Sequence, residues 1–260
     1  VASRRLREKR LDNTVLAALS IDDGRLVWKR SVASAGALPQ AQRSGAGSVP
    51  VIDRGVIYHV EPLGTISAME LATGRFLWAR TSRAVERDTP PAQLLWAATP
   101  LVRDGRVYTI EPEGARVLEL DGRSGRVLGE RDENDFAGPG ALLASGDLLV
   151  AASESEIFTL PFESFDDPGV EPVRVYSTER GWFEGRPITS GPMVLAPTGE
   201  GFTLIDPSGV GAVAGTIDFG NTGNALVSEA QLAALDGARV SSYLVWDAAR
   251  EALQERMRAA

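Results

Sequence analysis

The stretch Glu70-Leu-Ala-Thr-Gly-Arg-Phe-Leu-Trp78 decides how this chain is read, because the chain writes it more than once. Ser20-Ile-Asp-Asp-Gly-Arg-Leu-Val-Trp28 precedes it and Asp121-Gly-Arg-Ser-Gly-Arg-Val-Leu-Gly129 follows it. Each copy places a glycine before an arginine and a short apolar run. In a hairpin loop such a glycine suits a left-handed backbone position that side chains disfavour. The preceding Asp23, Thr73 or Ser124 is a residue that hydrogen-bonds its local backbone. The turn glycines are Gly24, Gly74 and Gly125, with weaker counterparts at Gly169 and Gly209, and they stand 50, 51, 44 and 40 residues apart. A period of roughly 40–50 residues is that of propeller blades.

The units share an internal grammar. In the second, Ser48-Val-Pro-Val-Ile-Asp53 is followed by a turn holding Gly55, a strand ending in Glu61-Pro62, an alternating strand with Ile66, Ala68 and Glu70, and the repeated turn. The third repeats this order with Gly105 and Glu111-Pro112. Short runs of β-branched and aromatic residues between Gly, Pro and Asp turns mark strands joined as hairpins, and four such strands make one blade. Units four (139–177) and five (186–217) are worn versions, and 223–247 offers three strands. The first unit supplies only a third and a fourth strand, over 13–31. The expected fold is therefore all-β, a propeller of four-stranded antiparallel blades with about four full and two partial ones. An open ring would leave sheet edges exposed, so a ring of seven or eight blades is expected, with this chain a fragment or processed product. Three regions follow: a basic N-terminal segment 1–10, blades over 11–246, and a helix over 247–260. Asp247 is the expected N-cap of that helix, with Ala249, Leu253 and Met257 on one face.

Trp28 and Trp78 end the turn in two units. A large ring at a fixed place in each blade suits packing between neighbours, and a blade alone cannot bury its own faces. Trp28, Trp78, Gly24, Gly74 and Gly125 are thus expected to be blade-docking residues. With those residues in view, the chain resembles the tryptophan-docking repeats of the PQQ-like, or quinoprotein-like, β-propellers. The resemblance runs from about Leu11 to Trp246 and is nearer the non-enzymatic BamB-like assembly lipoproteins than the dehydrogenases. It implies an extracytoplasmic location, in the periplasm or cell envelope. For the dehydrogenases it would also imply PQQ, a Ca²⁺ ion, a catalytic Asp and often an adjacent Cys pair. The pair is excluded, since the chain has 0 Cys, and no Asn/Glu/Asp set matches the metal ligands by spacing.

Composition narrows the remaining classes. A net charge of −8 opposes general nucleic-acid binding, which needs clustered Lys and Arg. No apolar run is long enough for a membrane-spanning helix. The single histidine, His59, reads as a hydrogen-bonded strand residue rather than a catalytic base, and no G-x-S-x-G nucleophile motif is present. The acidic stretches Glu130–Phe136 and Glu163–Glu171 carry oxygen ligands that could suit Ca²⁺, but they lack EF-hand spacing and read as solvated loops. The recurrence of Glu61 and Glu111 suggests turn geometry rather than an acid–base pair. Trp182 and Phe183, among charges in the insert Thr178–Gly185, are the candidate partner-binding residues. The expectation is a non-enzymatic scaffold that binds protein partners, with no cofactor or metal. The alternatives are a fragment of a PQQ-dependent oxidoreductase and the extracytoplasmic sensor portion of a signalling protein.

Overall fold

In the computed structural model, residues 2–8, 11–36, 49–61, 65–81, 99–111, 116–179, 181–209, 213–218, 223–228, 231–236 and 239–244 are described. They form six antiparallel sheets in chain order, the blades of a propeller. Blade one holds β1 (Ala2–Glu8), β2 (Leu11–Leu19) and β3 (Leu26–Gly36). Blade two holds β4 (Val51–Asp53), β5 (Val56–Glu61), β6 (Thr65–Glu70) and β7 (Phe76–Thr81). Blade three holds β8 (Leu101–Arg103), β9 (Arg106–Ile110), β10 (Arg116–Asp121) and β11 (Val127–Asp132). Blade four holds β12 (Ala141–Ser145), β13 (Leu148–Ala152), β14 (Glu156–Pro161) and β15 (Val173–Ser177). Blade five holds β16 (Ile188–Ser190), β17 (Met193–Thr198), β18 (Gly201–Ile205) and β19 (Val213–Ile217). Blade six holds β20 (Asn224–Val227), β21 (Gln231–Asp236) and β22 (Arg239–Leu244).

Four full and two partial blades are the expected count, but the first partial blade differs in make-up. The basic segment expected to precede the blades supplies β1, whose Ala2–Glu8 pairs with Leu11–Ala17 of β2. Without that hairpin the backbone groups along one side of β2 would lack partners within the sheet. The helix expected over 247–260 lies outside the described residues.

Local chemistry accounts for the turns. In the first hairpin of blades two and three, Arg54 and Gly55 have φ of 46° and 79°, and Asp104 and Gly105 have 50° and 76°. Two successive positive φ values define the tight hairpin whose twist matches the flanking strands. The repeated turn closes identically three times: Gly24, Gly74 and Gly125 donate to the carbonyls of Ser20, Glu70 and Asp121. Side chains of Asp23, Thr73 and Ser124 accept from the amides of Arg25, Arg75 and Arg126 at 3.0, 3.1 and 3.4 Å. Gly169 keeps an Asp167 side-chain bond at 2.8 Å but not the left-handed backbone.

The first strands of successive blades, β4, β8, β12, β16 and β20, approach one another around the axis. The core is divided among the junctions. Leu16, Trp28, Ile57 and Met69 fill the first, and Tyr58, Val60, Ile66, Leu118 and Leu120 the second. Phe136, Leu149, Leu160 and Phe165 fill the third. Val150, Ile157, Phe183, Val194 and Ile205 fill the fourth, and Leu195, Phe202, Ala225 and Leu232 the fifth. Middle strands therefore bury both faces. Ile66 through Met69 are all buried, so the alternation expected in β6 is absent as burial, because each side of the strand meets a different neighbour.

Candidate functional site

Docking between blades is the most developed construction in the molecule. The Nε1–H of Trp28 donates to the carbonyl of Leu71 in the next blade at 2.8 Å. That of Trp78 donates to Gly122 in its next blade at 2.9 Å. Each ring lies on the turn glycine it reaches: a Cβ on Gly74 would sit 2.6 Å from Trp28, and one on Gly125 would sit 2.6 Å from Trp78. Gly74 and Gly125 thus meet two demands, a left-handed φ and a flat seat for an indole. The receiving peptide is held from the other side as well. Leu71 N–H donates to Gly55, and Gly122 N–H to Gly105, each at 2.8 Å. Trp28 and Trp78 face Ala18 and Ala68 in register, small partners that leave room for the ring.

The third unit inverts these sizes. Gly129 stands where Trp would be, and its register partner is Glu119. A Cβ on Gly129 would lie 3.2 Å from Glu119, Asp166 and Phe165. The buried Glu119 carboxylate accepts from Tyr108 at 3.0 Å and pairs with Arg106. Phe165, from the insert of the next blade, brings an aromatic ring to the position where blade three has Gly129 in place of Trp, and it meets Tyr108 edge-on at 5.3 Å.

An arginine two residues beyond each of these positions makes a second clamp that the sequence reading missed. Arg30 donates to Thr73 and Arg80 to Gly125, each at 3.2 Å. The third, Arg131, is buried and donates to four carbonyls of the 162–170 insert: Phe165 and Ser164 at 2.8 Å, Val170 at 2.9 Å and Asp167 at 2.5 Å. The acidic segment considered for Ca²⁺ therefore turns backbone oxygens onto a guanidinium. The recurring arginine in Trp28-Lys-Arg30, Trp78-Ala-Arg80 and Gly129-Glu-Arg131 was visible, but an arginine on an outer strand reads as solvated charge.

The aromatic pair of the 178–185 insert divides. Trp182 is 55% exposed, whereas Phe183 is 6% exposed in the fourth junction. Phe183 stacks on Tyr176 at 6.1 Å, and its N–H donates to Glu154 at 2.7 Å. Its expected role as a partner contact is thereby corrected: the ring anchors the insert and leaves Trp182 outside. Nearby, Arg186 ties the entries of three blades. Its amide donates to Asn224 at 3.0 Å and its guanidinium to Thr99 at 2.6 Å. Burial pushes its pKa below the usual arginine value.

The remaining chemical candidates resolve as follows. Glu111 is buried and takes a two-pronged bond from Arg116 at 3.0 and 3.1 Å. His59 is buried on β5, and the hydrogen bonds expected for it are absent, because neither ring nitrogen has a partner. Among the described residues no three His, Cys, Asp or Glu side chains converge as a metal-binding group. Among the described residues no helix is long and apolar enough to cross a membrane.

Sheets docked in sequence by an indole on the next turn define a tryptophan-docked β-propeller of the PQQ-like class. Within that class, the family model described as outer membrane protein assembly factor BamB matches residues 11–161, and the chain belongs to this family. Relatives bearing that name include the Salmonella typhimurium protein, 26% identical over 148 residues, covering 55% of this chain and 34% of the relative. The Xanthomonas campestris protein is 30% identical over 115 residues, covering 44% and 28%. The chain thus spans between 26% and 36% of the length of the curated relatives it matches. Among solved structures, BamB from Moraxella catarrhalis superposes with a TM-score of 0.63 at 16% identity, covering 92% of this chain and 70% of that one. A quinohemoprotein alcohol dehydrogenase from Pseudomonas putida superposes at 0.53 and 15% identity, covering 83% and 41%. Both likenesses are of fold.

Proposed function

We propose that this chain is a non-enzymatic β-propeller scaffold for protein–protein interaction. Its blades, over 11–246, belong to a larger extracytoplasmic protein, in the periplasm or cell envelope. The observation that carries the reading is the division among the aromatic residues. Trp28 and Trp78 are engaged between blades, while Trp182 stands 55% exposed on an insert anchored by Phe183. A large exposed ring on a fixed base is the form of an interaction anchor, since ordering it on binding costs little entropy. Membership of a family described as an outer membrane protein assembly factor supports the same reading and points to proteins of outer-membrane assembly as partners.

A photo-reactive residue at position 182 tests this in cells. It is expected to cross-link to a component of outer-membrane assembly, and Trp182→Ala is expected to weaken that complex about tenfold or more. Absence of any cross-link from position 182 would count against the interaction role. An oxidoreductase would instead show a saturable rise in melting temperature with PQQ and Ca²⁺, together with dye-linked alcohol oxidation. The scaffold is expected to show neither.

A further inference from the structure

The junction between blades one and two holds a polar cluster that the docking contacts leave unsatisfied. On β5 and β6, Ile57 pairs with Met69 and His59 pairs with Ser67. On β2, Thr14 lies two residues before Leu16. Leu16, Ile57 and Met69 pack together across the junction. Strand alternation therefore sets Thr14, His59 and Ser67 in the next layer of the same junction. Their exposures are 1%, 1% and 0%. The hydroxyls of Thr14 and Ser67 and both ring nitrogens of His59 lack hydrogen-bond partners. A neutral imidazole presents one donor and one acceptor, and burying such groups unpaired is costly.

The later junctions treat this layer differently. The second carries Thr109, which donates to Ile110 at 3.2 Å, beside the apolar Leu118. The third carries Ala151. The fourth carries Ala196 in register with Thr203, whose hydroxyl lies 3.1 Å from that of Thr198. Among the described residues, the first junction alone combines a titratable ring with unpaired hydroxyls. Strand register places charged residues along the strands that carry His59 and Thr14. Glu61 lies two residues beyond His59 on β5 and pairs with Thr65 of β6. Asp12 lies two residues before Thr14 on β2, and Arg7 and Arg5 of β1 pair in register with Asp12 and Thr14.

We propose that this junction is the acid-opened joint of the propeller: protonation of His59 separates blade one from blade two while the other junctions stay closed. An imidazolium beside Leu16, Ile57 and Met69 would lack water, and opening supplies it. Burial already holds the ring neutral, with its pKa pushed down to about 4. The closed junction thus binds the proton more weakly than the open one, where the ring returns to about 6.5. Closure is favoured above that value and is lost progressively as pH falls from about 6.5 to about 4. Between pH 7.5 and 5.0 the opening equilibrium is expected to rise about 30-fold.

Amide hydrogen exchange on the intact protein, corrected for intrinsic rates, reads this directly. Protection in β2, β5 and β6 is expected to fall about 30-fold from pH 7.5 to 5.0, while β13, β14, β17 and β18 hold theirs. His59→Leu is expected to abolish the pH dependence. Protection that does not change with pH, or that falls equally in all blades, would overturn the proposal. So would an unchanged fall in H59L. Because His59 is the only histidine, its single imidazole resonance gives a second reading without mutation. Titration below pH 5 supports the proposal, and titration near 6.5 overturns it.

Discussion

Gly24 and Gly74 occupy the same position of the same turn, with φ of 71° and 65°, yet their surroundings differ. A Cβ on Gly24 would meet nothing within 4 Å, whereas one on Gly74 would enter the Trp28 ring. Gly24→Ala therefore carries only the backbone penalty, about 1–2 kcal/mol. Gly74→Ala adds displacement of an indole that fills a junction, and is expected to cost at least ~2 kcal/mol more. Urea unfolding of the two variants checks the difference; equal losses would mean that the glycine serves the turn alone.

At the scale of single elements, the insert 162–170 depends on one side chain of a neighbouring blade. Arg131 satisfies four of its carbonyls, and only a planar fork reaches so many acceptors at once. Arg131→Lys is expected to destabilise the protein by on the order of 3 kcal/mol and to raise hydrogen exchange over 162–170 before other segments. A variant that melts like the parent would show that the insert holds itself. The same element marks where the sequence was legible. The repeated turns, Trp28 and Trp78 identify the architecture because glycine, indole and period each have one physical use there. Phe165 filling the space over Gly129 is a contact between residues of different units, and no local pattern announces it. Phe183 and Trp182 are neighbours of similar composition, and only the packing of blades four and five separates an anchor from an exposed ring. Strand β1 was hidden because its arginines follow no apolar alternation, while pairing is decided by the open backbone of β2.

Across the whole molecule, the core is a series of junctions rather than one mass, and each blade's stability is shared with its neighbours. Trp28→Ala and Trp78→Ala should each cost about 3–5 kcal/mol, but at different places. Trp28→Ala loosens blade one from the rest. Trp78→Ala divides the array between blades two and three, and is expected to split the urea transition into two steps. Fluorescence and far-ultraviolet circular dichroism recorded on one sample report this, since a single cooperative unit would keep the two curves coincident.

The peptides of Leu71 and Gly122 are gripped from both sides, by a hairpin of their own blade and by an indole from the blade before. Both indoles reach forward along the chain, so the arc has a polarity, with a tongue on one flank of a blade and a groove on the other. A transplanted blade would need to arrive with its groove toward the preceding tongue. Reversing its orientation, or donating a module that has a groove but no tongue, would interrupt the succession at that point even if every strand in it were sound.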